Sequence, residues 1–261
     1  MNFTIKNYWT GDVLFKCELP LDTGQTCEQQ LGSAILKAHA DGVSLNSANL
    51  NGASLNDANL ERVHMDGASL KNASLRYAIL DGACLNGAIL HGVKLYGASL
   101  DGAHLDGASL YDANLDGASL NNTTLRYARL DNASLIYANL DGACLDGACL
   151  DSARLNRATL RNTSLKGADL RSANLHGALM KDTVWRGDIK ISNIPLYISG
   201  LVYPVWILDR HIQIGCELHT VEEWTAFDIR RISKMDANAR WFWNTYRDAL
   251  LTLAASRKSA P

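Results

Sequence analysis

The chain lacks several features that would assign it to a familiar class. No apolar run approaches 18 residues, so no segment is expected to cross a membrane as a helix. The N-terminus has no basic-then-apolar signal pattern, which predicts a cytoplasmic location. There is no Gly-rich phosphate loop, no H-E-x-x-H pair and no nucleophile elbow, so the sequence gives no reason to expect an enzyme or a cofactor.

What the sequence has instead is a five-residue period. A leucine or methionine falls on every fifth residue from Leu45 to Met180, which makes 28 repeats, and a small residue, mostly Ala, stands two places before each one. Neither the 3.6-residue period of a helix nor the two-residue period of a flat strand keeps such a pattern on one face. A fixed period of this kind indicates a repeat architecture.

Each repeat supplies one large and one small apolar side chain, and its other positions are mostly polar or Gly. A chain that turns a corner every five residues can point both apolar groups at a central axis. Ala is needed there because a second large side chain would overfill a narrow interior. Gly recurs two places after the leucine, as at Gly52 and Gly67, where a corner requires a permissive backbone. The leucines are therefore predicted to form the core.

The repeats also resemble a known family. The triplets Ala48-Asn49-Leu50, Ala58-Asn59-Leu60 and Ala113-Asn114-Leu115 are similar to the A-[DN]-L-x-x signature of pentapeptide-repeat proteins. The resemblance covers residues 41–187 and implies a mainly β fold, a right-handed quadrilateral β-helix with four repeats in each coil. At a strand spacing of about 4.8 Å, about seven coils would form a rod about 34 Å long without a cleft for a small-molecule substrate.

The segments that flank the repeats are expected to cover the open ends of the β-helix. Residues 1–40 predict a hairpin, turning at Thr10-Gly11-Asp12, and one helix that caps the first coil. Residues 188–261 predict a small α+β module with strands at 202–208 and 211–218 and a helix after a capping box at 220–223. One helical stripe follows, formed by Ala239, Phe242, Trp243, Tyr246, Leu250 and Leu253. The module is similar to one found after pentapeptide repeats in phage proteins.

Residues 20 apart should lie above each other, and two of the resulting columns are acidic. Both columns change to basic residues near the end of the repeats. Eight acids over six coils correspond to about one per 3.6 Å, against about one charge per 1.7 Å in duplex DNA. The columns therefore predict either a DNA-like surface for a cationic partner or a merely solubilising surface. The predicted partner-binding acids are Asp41, Glu61, Asp66, Asp81, Asp101, Asp106, Asp141 and Asp146.

Aromatic residues form a second group of candidates. Tyr77, Tyr127 and Tyr137 occupy outward positions of the repeats, and exposed tyrosines are favoured in protein interfaces. Trp241 and Trp243 are interpreted in two ways. They form the core of the C-terminal module, or they belong to an exposed aromatic face for dimerisation or for a partner.

Metal binding and direct nucleic-acid binding are weaker alternatives. His211, Cys216 and His219 have a suggestive spacing but lack a fourth ligand, so no metal is predicted. A column of His64, Cys84 and His104 could hold an ion only with a partner's help. The bases at the end of the repeats are candidates for nucleic-acid contact, which we do not favour: Arg154, Arg157, Arg161, Lys166 and Arg171.

The sequence thus favours a non-catalytic binding rod, in a bacterium or a phage-infected bacterium. The first hypothesis is that its acidic surface engages and inhibits a host DNA-processing or defence protein. DNA gyrase is the target that the resemblance implies, and the same resemblance implies a homodimer formed through C-terminal helices. The alternative is a scaffold or adaptor that binds another protein through the mixed faces and the aromatic C-terminal module.

Overall fold

The computed structural model describes residues 2–20 and 24–258. The chain divides into two units, residues 1–190 and 191–261. The predicted segments 1–40 and 188–261 include residues 1, 21–23 and 259–261, which lie outside the described part of the chain.

The first unit begins with a hairpin and a helix. Strand β1 (Asn2–Lys6) pairs antiparallel with β2 (Val13–Glu18). Helix α1 (Cys27–Ala40) begins at a capping box in which Thr26 and Gln29 bond each other's backbone N–H groups. The helix lies so close to the first coil that a β-carbon on Gly32 would be 2.0 Å from the carbonyl oxygen of Ser54. Only glycine permits this approach.

The repeats form a four-sided coil. Parallel β-bridges join residues 20 apart, from Asn49 and Ser69 to Ser164 and Val184, so each coil contains four pentapeptides. The residue two places after each leucine has a positive φ, between +54° and +72° from Ser47 to Gly187. This left-handed conformation turns the chain at every corner, which explains why Gly is common there.

Leucine and alanine side chains fill the interior. The repeat leucines are at most 6% exposed, and most repeat alanines are fully buried. Three repeats place Thr where the others have Ala or Val. Each of these threonines is buried and donates a hydrogen bond to the carbonyl oxygen 23 residues earlier. The pairs are Thr123 with Leu100, Thr163 with Leu140, and Thr183 with Leu160. The polar exceptions in the core are therefore satisfied.

The coil ends in a short hairpin of β3 (Thr183–Arg186) and β4 (Ile189–Ile191). Trp185 stands where a leucine would continue the repeat and is 6% exposed.

The second unit packs helices against an antiparallel sheet. The strands, in sheet order, are β5 (Leu196–Ile198), β6 (Val205–Ile207), β7 (His211–Ile214) and β8 (Glu217–Thr220). The helices are α2 (Val221–Ala226), which starts at the capping box of Thr220 and Glu223, α3 (Ile229–Ser233) and α4 (Ala239–Lys258).

Three details of this unit differ from the prediction. Of the predicted strand 202–208, only Val205–Ile207 forms a strand, β6. The predicted strand 211–218 is interrupted at Gly215, whose φ is +59°, so that it forms the two strands β7 and β8. Leu253, predicted to belong to the buried stripe of α4, is 40% exposed, and Ala254 occupies the buried position. The stripe shifts by one residue because 3.6 residues per turn accumulate an offset over a helix of 20 residues.

Candidate functional site

The acidic columns are fixed by backbone hydrogen bonds. In six of the eight predicted acids, the Oδ1 oxygen accepts the N–H of the residue 20 positions later, at 2.7–3.1 Å. Serine hydroxyls of the next coil add further bonds, as from Ser99 to Asp81 (2.5 Å) and from Ser119 to Asp101 (2.6 Å). One oxygen of each carboxylate thus holds neighbouring coils together. The six are Asp66, Asp81, Asp101, Asp106, Asp141 and Asp146.

Asparagine performs the same structural role in these columns. Asn46 accepts the N–H of Asp66 at 2.9 Å, and Asn86 accepts that of Asp106 at 3.1 Å. The hydrogen bond that Oδ1 accepts from the next coil therefore does not require a charge, since an amide oxygen is also an acceptor. The negative charge of each aspartate is not needed for this bond.

Asp41, the first acid of the predicted column, also ends helix α1, and its carboxylate lies 3.8 Å from Lys37. It is the C-cap of α1, and its N–H donates to the helix carbonyls of Lys37 and His39. The following Gly42 bonds the carbonyl of His39, whereas Gly82, at the equivalent corner of a later coil, bonds the carbonyl of Asp101 in the next coil. The backbone bonds to the next coil begin at Leu45, whose N–H donates to the carbonyl of His64.

Nearby cations neutralise part of the acidic surface. Glu61 lies 3.6 Å from Arg62, Asp106 lies 3.7 Å from Arg126, and Asp141 lies 3.6 Å from Arg161. Such exposed pairs contribute about 0–1 kcal/mol each. Four acids remain without a Lys or Arg partner within 4.0 Å among residues 2–20 and 24–258: Asp66, Asp81, Asp101 and Asp146.

Exposed aromatic residues lie mostly on other corners. The side chains of Tyr77 and Tyr96 meet edge to face with ring centroids 5.4 Å apart, and Tyr77 is 56% exposed. Tyr137 is 59% exposed, and the Arg157 guanidinium lies 5.5 Å from its ring centroid. We call Tyr77, Tyr96 and Tyr137 the aromatic corner, since they occupy corner positions of equivalent repeats in different coils.

Tyr127 stands apart from this corner. It is 74% exposed but follows Arg126, in the column of Asp106 and Asp146, and is therefore on an acidic corner. The prediction did not single out Tyr96 as an interface residue, although it lies 19 residues after Tyr77 and thus reaches a neighbouring coil.

The two candidate tryptophans of α4 are in different environments. Trp241 is 54% exposed, as an interface residue should be. Trp243 is 4% exposed and stacks on Trp224 at a centroid distance of 4.9 Å. Residues two positions apart in a helix lie about 200° apart around its axis, so the rings of Trp241 and Trp243 cannot share a face of α4. Trp243 is a core residue, and its assignment to an exposed interface is wrong.

No described group of three or more His, Cys, Asp or Glu side chains is arranged to hold a metal. His219 bonds Glu217 at 2.9 Å instead. Among the described helices, none is both long and apolar enough to cross a bilayer.

One pair resembles a nucleophile with its base. His91 Nε2 lies 2.6 Å from the Ser109 hydroxyl, and burial, then the nearby Lys71, lowers the pKa of His91. The same spacing of 18 residues recurs between serines and Asp81 or Asp101 in other coils. The contact is therefore a regular corner hydrogen bond, and it provides no evidence of catalysis.

The repeats match the family model for pentapeptide repeats in eight copies, at residues 37–67, 53–92, 88–126, 113–151 and 148–184. No curated protein matches the chain at a significant level.

Several solved structures are similar to parts of the chain. Rfr23, a pentapeptide repeat protein from the cyanobacterium Cyanothece 51142, shares 36% identity over 39% of this chain and 63% of its own length, with a TM-score of 0.28. The chain thus covers less than two thirds of Rfr23. HetL, a pentapeptide repeat protein from the cyanobacterium Nostoc sp. strain PCC 7120, shares 28% identity over 60% of this chain and 98% of its own, with a TM-score of 0.24.

A trypsin-treated form of QnrB1, a plasmid-mediated fluoroquinolone resistance protein, shares 21% identity over 51% of this chain and 75% of its own, with a TM-score of 0.41. The family assignment does not depend on these structures, because the repeat copies alone extend over more than half of the sequence. The chain belongs to the pentapeptide-repeat family, and its repeats form a right-handed quadrilateral β-helix.

Proposed function

We propose that this protein is a non-catalytic binding rod whose acidic columns contact a positively charged, DNA-binding surface of another protein. A DNA-processing enzyme such as DNA gyrase is the partner that the family resemblance suggests. The observation that carries the proposal is the fixed position of the acids. Because Oδ1 bonds the next coil, the carboxylates are held at coil spacing before a partner arrives. Such preorganisation lowers the entropy cost of binding.

The distribution of charge supports the same face. Between residues 48 and 167, the two repeats of each coil that carry the acidic columns contain seven acids and four bases. The other two repeats of each coil contain five acids and six bases over the same residues. A cationic partner is thus attracted to one side of the coil, which favours association at low salt.

The test is inhibition of gyrase supercoiling, together with direct binding at several salt concentrations. The test variant carries Asp66→Asn, Asp81→Asn and Asp101→Asn. Asparagine keeps the Oδ1 acceptor, so the coil is preserved while three charges are removed. The control variant carries Asp116→Asn, Asp131→Asn and Asp151→Asn, at corner positions of the other two repeats.

We expect the test variant to bind at least about tenfold more weakly, with a flatter salt dependence, and the control to remain within about twofold of the parent. Equal effects of the two variants, or no binding to gyrase by the parent protein, would contradict the proposal.

A second candidate function rests on the aromatic corner. Three exposed tyrosines and Arg157 along one edge have the composition of a protein interface and suit a scaffold or adaptor. Tyr77→Gly and Tyr137→Gly remove the rings without straining the corner, because both positions have a positive φ that glycine adopts freely. Loss of partner binding in this double variant, with full binding by the Asp→Asn test variant, would identify the adaptor function.

A further inference from the structure

The second unit contains a small cavity between its sheet and its helices. The cavity has a volume of about 120 Å³ and lies where the β7–β8 turn meets α3 and the beginning of α4. Its buried walls include Trp224, Phe242 and Trp243, which are 2%, 2% and 4% exposed. An engineered apolar cavity of roughly 150 Å³ is large enough to bind benzene. This cavity therefore suits a group of about five heavy atoms.

The cavity combines aromatic walls with negative charge. Tyr203 completes the aromatic lining, and Asp236 and Glu217 also line the cavity. None of the residues that line it is Lys, Arg or His. An anion would meet two carboxylates here, and a neutral apolar molecule would gain nothing from them.

The carboxylate of Asp236 is held in place at an exposed position. Its Oδ1 accepts hydrogen bonds from the Tyr203 hydroxyl and from the Asn238 N–H, the latter at 2.9 Å. The Tyr203 bond, followed by the backbone bond, lowers the pKa of Asp236, so the group carries its charge at neutral pH. The Glu217 carboxylate is instead paired with His219, with its Oε2 2.9 Å from the His219 Nε2.

We propose that this cavity binds a small alkylammonium cation, such as a quaternary ammonium group. Aromatic rings attract cations through their negative faces, and methylated ammonium groups lose little hydration when they enter an aromatic site. The rings of Tyr203, Trp224, Phe242 and Trp243 supply the apolar contact, and Asp236 supplies the neutralising charge. This site is separate from the acidic corners and does not depend on the function proposed for them.

The experiment compares choline with 3,3-dimethyl-1-butanol, a neutral molecule of nearly the same shape. Binding to the full chain is measured by calorimetry and by the fluorine NMR signals of 5-fluorotryptophan, assigned to Trp224 and Trp243 by substitution. We expect saturable binding of choline at least about tenfold tighter than that of the neutral analogue, with shifts at both tryptophans. Equal binding of the two probes, or no saturable binding of choline, overturns the proposal.

Two variants test the charge and the space separately. Asp236→Asn keeps the acceptor for Tyr203 and removes the charge, and we expect choline to bind about tenfold more weakly. Asp248→Asn is the matched control, because Asp248 is an exposed acid of α4 outside the cavity. Ala239→Met fills the cavity and should abolish binding, with unchanged circular dichroism as the check on folding. Equal losses in the two Asp→Asn variants, or full binding by Ala239→Met, would also overturn the proposal.

Discussion

The ring of Tyr127 lies over Gly147 in the next coil, so closely that a β-carbon on Gly147 would be 2.6 Å from Cδ1 of the tyrosine. Tyr77 and Gly97 repeat the arrangement, with a corresponding distance of 2.7 Å. Both tyrosines have a φ of +57°, a conformation that side chains rarely adopt. The glycine that follows one coil later leaves room for each ring. At these two corners the tyrosine and the glycine 20 residues on form a structural pair, whereas the third corner tyrosine, Tyr137, has Arg157 20 residues on.

This pairing predicts that Gly147→Ala destabilises the coil more than Gly167→Ala. Both glycines have similar backbone angles, φ +68° and +71°, so both substitutions cost about 1–2 kcal/mol of left-handed strain. A β-carbon at Gly167 meets nothing within 4 Å, whereas one at Gly147 displaces the Tyr127 ring. We expect an additional loss of about 0.5–1 kcal/mol from that contact. Urea denaturation measures both, and the difference should vanish when Tyr127 is also changed to Gly.

The buried threonines give a second prediction. Thr163 is fully buried, and its hydroxyl donates to the carbonyl of Leu140 at 2.7 Å. Thr163→Val keeps the volume but loses the bond, so we expect the free energy of unfolding to fall by about 1 kcal/mol. Val93 occupies the same position of its repeat and is fully buried, so the coil accommodates a valine there. A loss of stability in Thr163→Val would therefore not be caused by overpacking. Unchanged stability of Thr163→Val would mean that this hydrogen bond has no net effect.

The core of the coil could be predicted from the sequence, but the number of its sides could not. The five-residue period identifies Leu45 to Met180 as interior positions, because a corner in every repeat is the simplest way to bury them all. The period does not determine the number of sides, which the family resemblance supplied. The period also does not show where the preceding helix ends, and Asp41, the first acid of the predicted column, is the C-cap of α1.

The candidate surfaces were predictable in part. The exchange of Asn and Asp at equivalent corners, as in Asn86 and Asp106, is a sequence pattern that indicates an acceptor function, because both side chains offer the same oxygen. The cavity of the second unit could not have been predicted. Its walls come from separate strands and helices, including Tyr203 and Phe242, and sequence spacing carries no information about how these elements pack.

The hydrogen bonds that Oδ1 accepts from the next coil predict different effects of Asn and Ala substitutions at Asp101. Its Oδ1 accepts the Asn121 N–H at 3.0 Å and the Ser119 hydroxyl at 2.6 Å. Asp101→Asn should leave the free energy of unfolding within about 0.5 kcal/mol of the parent, whereas Asp101→Ala should lower it by about 1–2 kcal/mol. Asp151→Ala is the control, because the described bond of Asp151 is a 3.4 Å contact from Ser152. Equal stability of the Asn and Ala variants at position 101 would contradict the prediction.

The pair of Asp169 and Arg171 predicts a dependence of stability on pH. The guanidinium Nε lies 2.9 Å from Oδ1, and Nη2 lies 2.7 Å from Oδ2. The side-chain hydrogen bond from Arg171 lowers the pKa of Asp169, against an opposing effect of burial. Because the pKa is lower in the folded state, the pair stabilises the fold above the ordinary aspartate range, about pH 4, and this contribution is lost as the pH falls through the folded-state pKa.

Asp169→Asn should therefore reduce stability most at pH 6–7 and progressively less as the pH falls below about 4. The substitution keeps the acceptor for the Arg171 N–H, which Asp169 Oδ1 binds at 3.1 Å, so the measured difference reports mainly the charge. Urea denaturation of parent and variant at several pH values provides the comparison. In an Arg171→Leu background the same substitution should show little dependence on pH. A difference that stays constant from pH 3 to pH 7 would show that the ion pair does not contribute to stability.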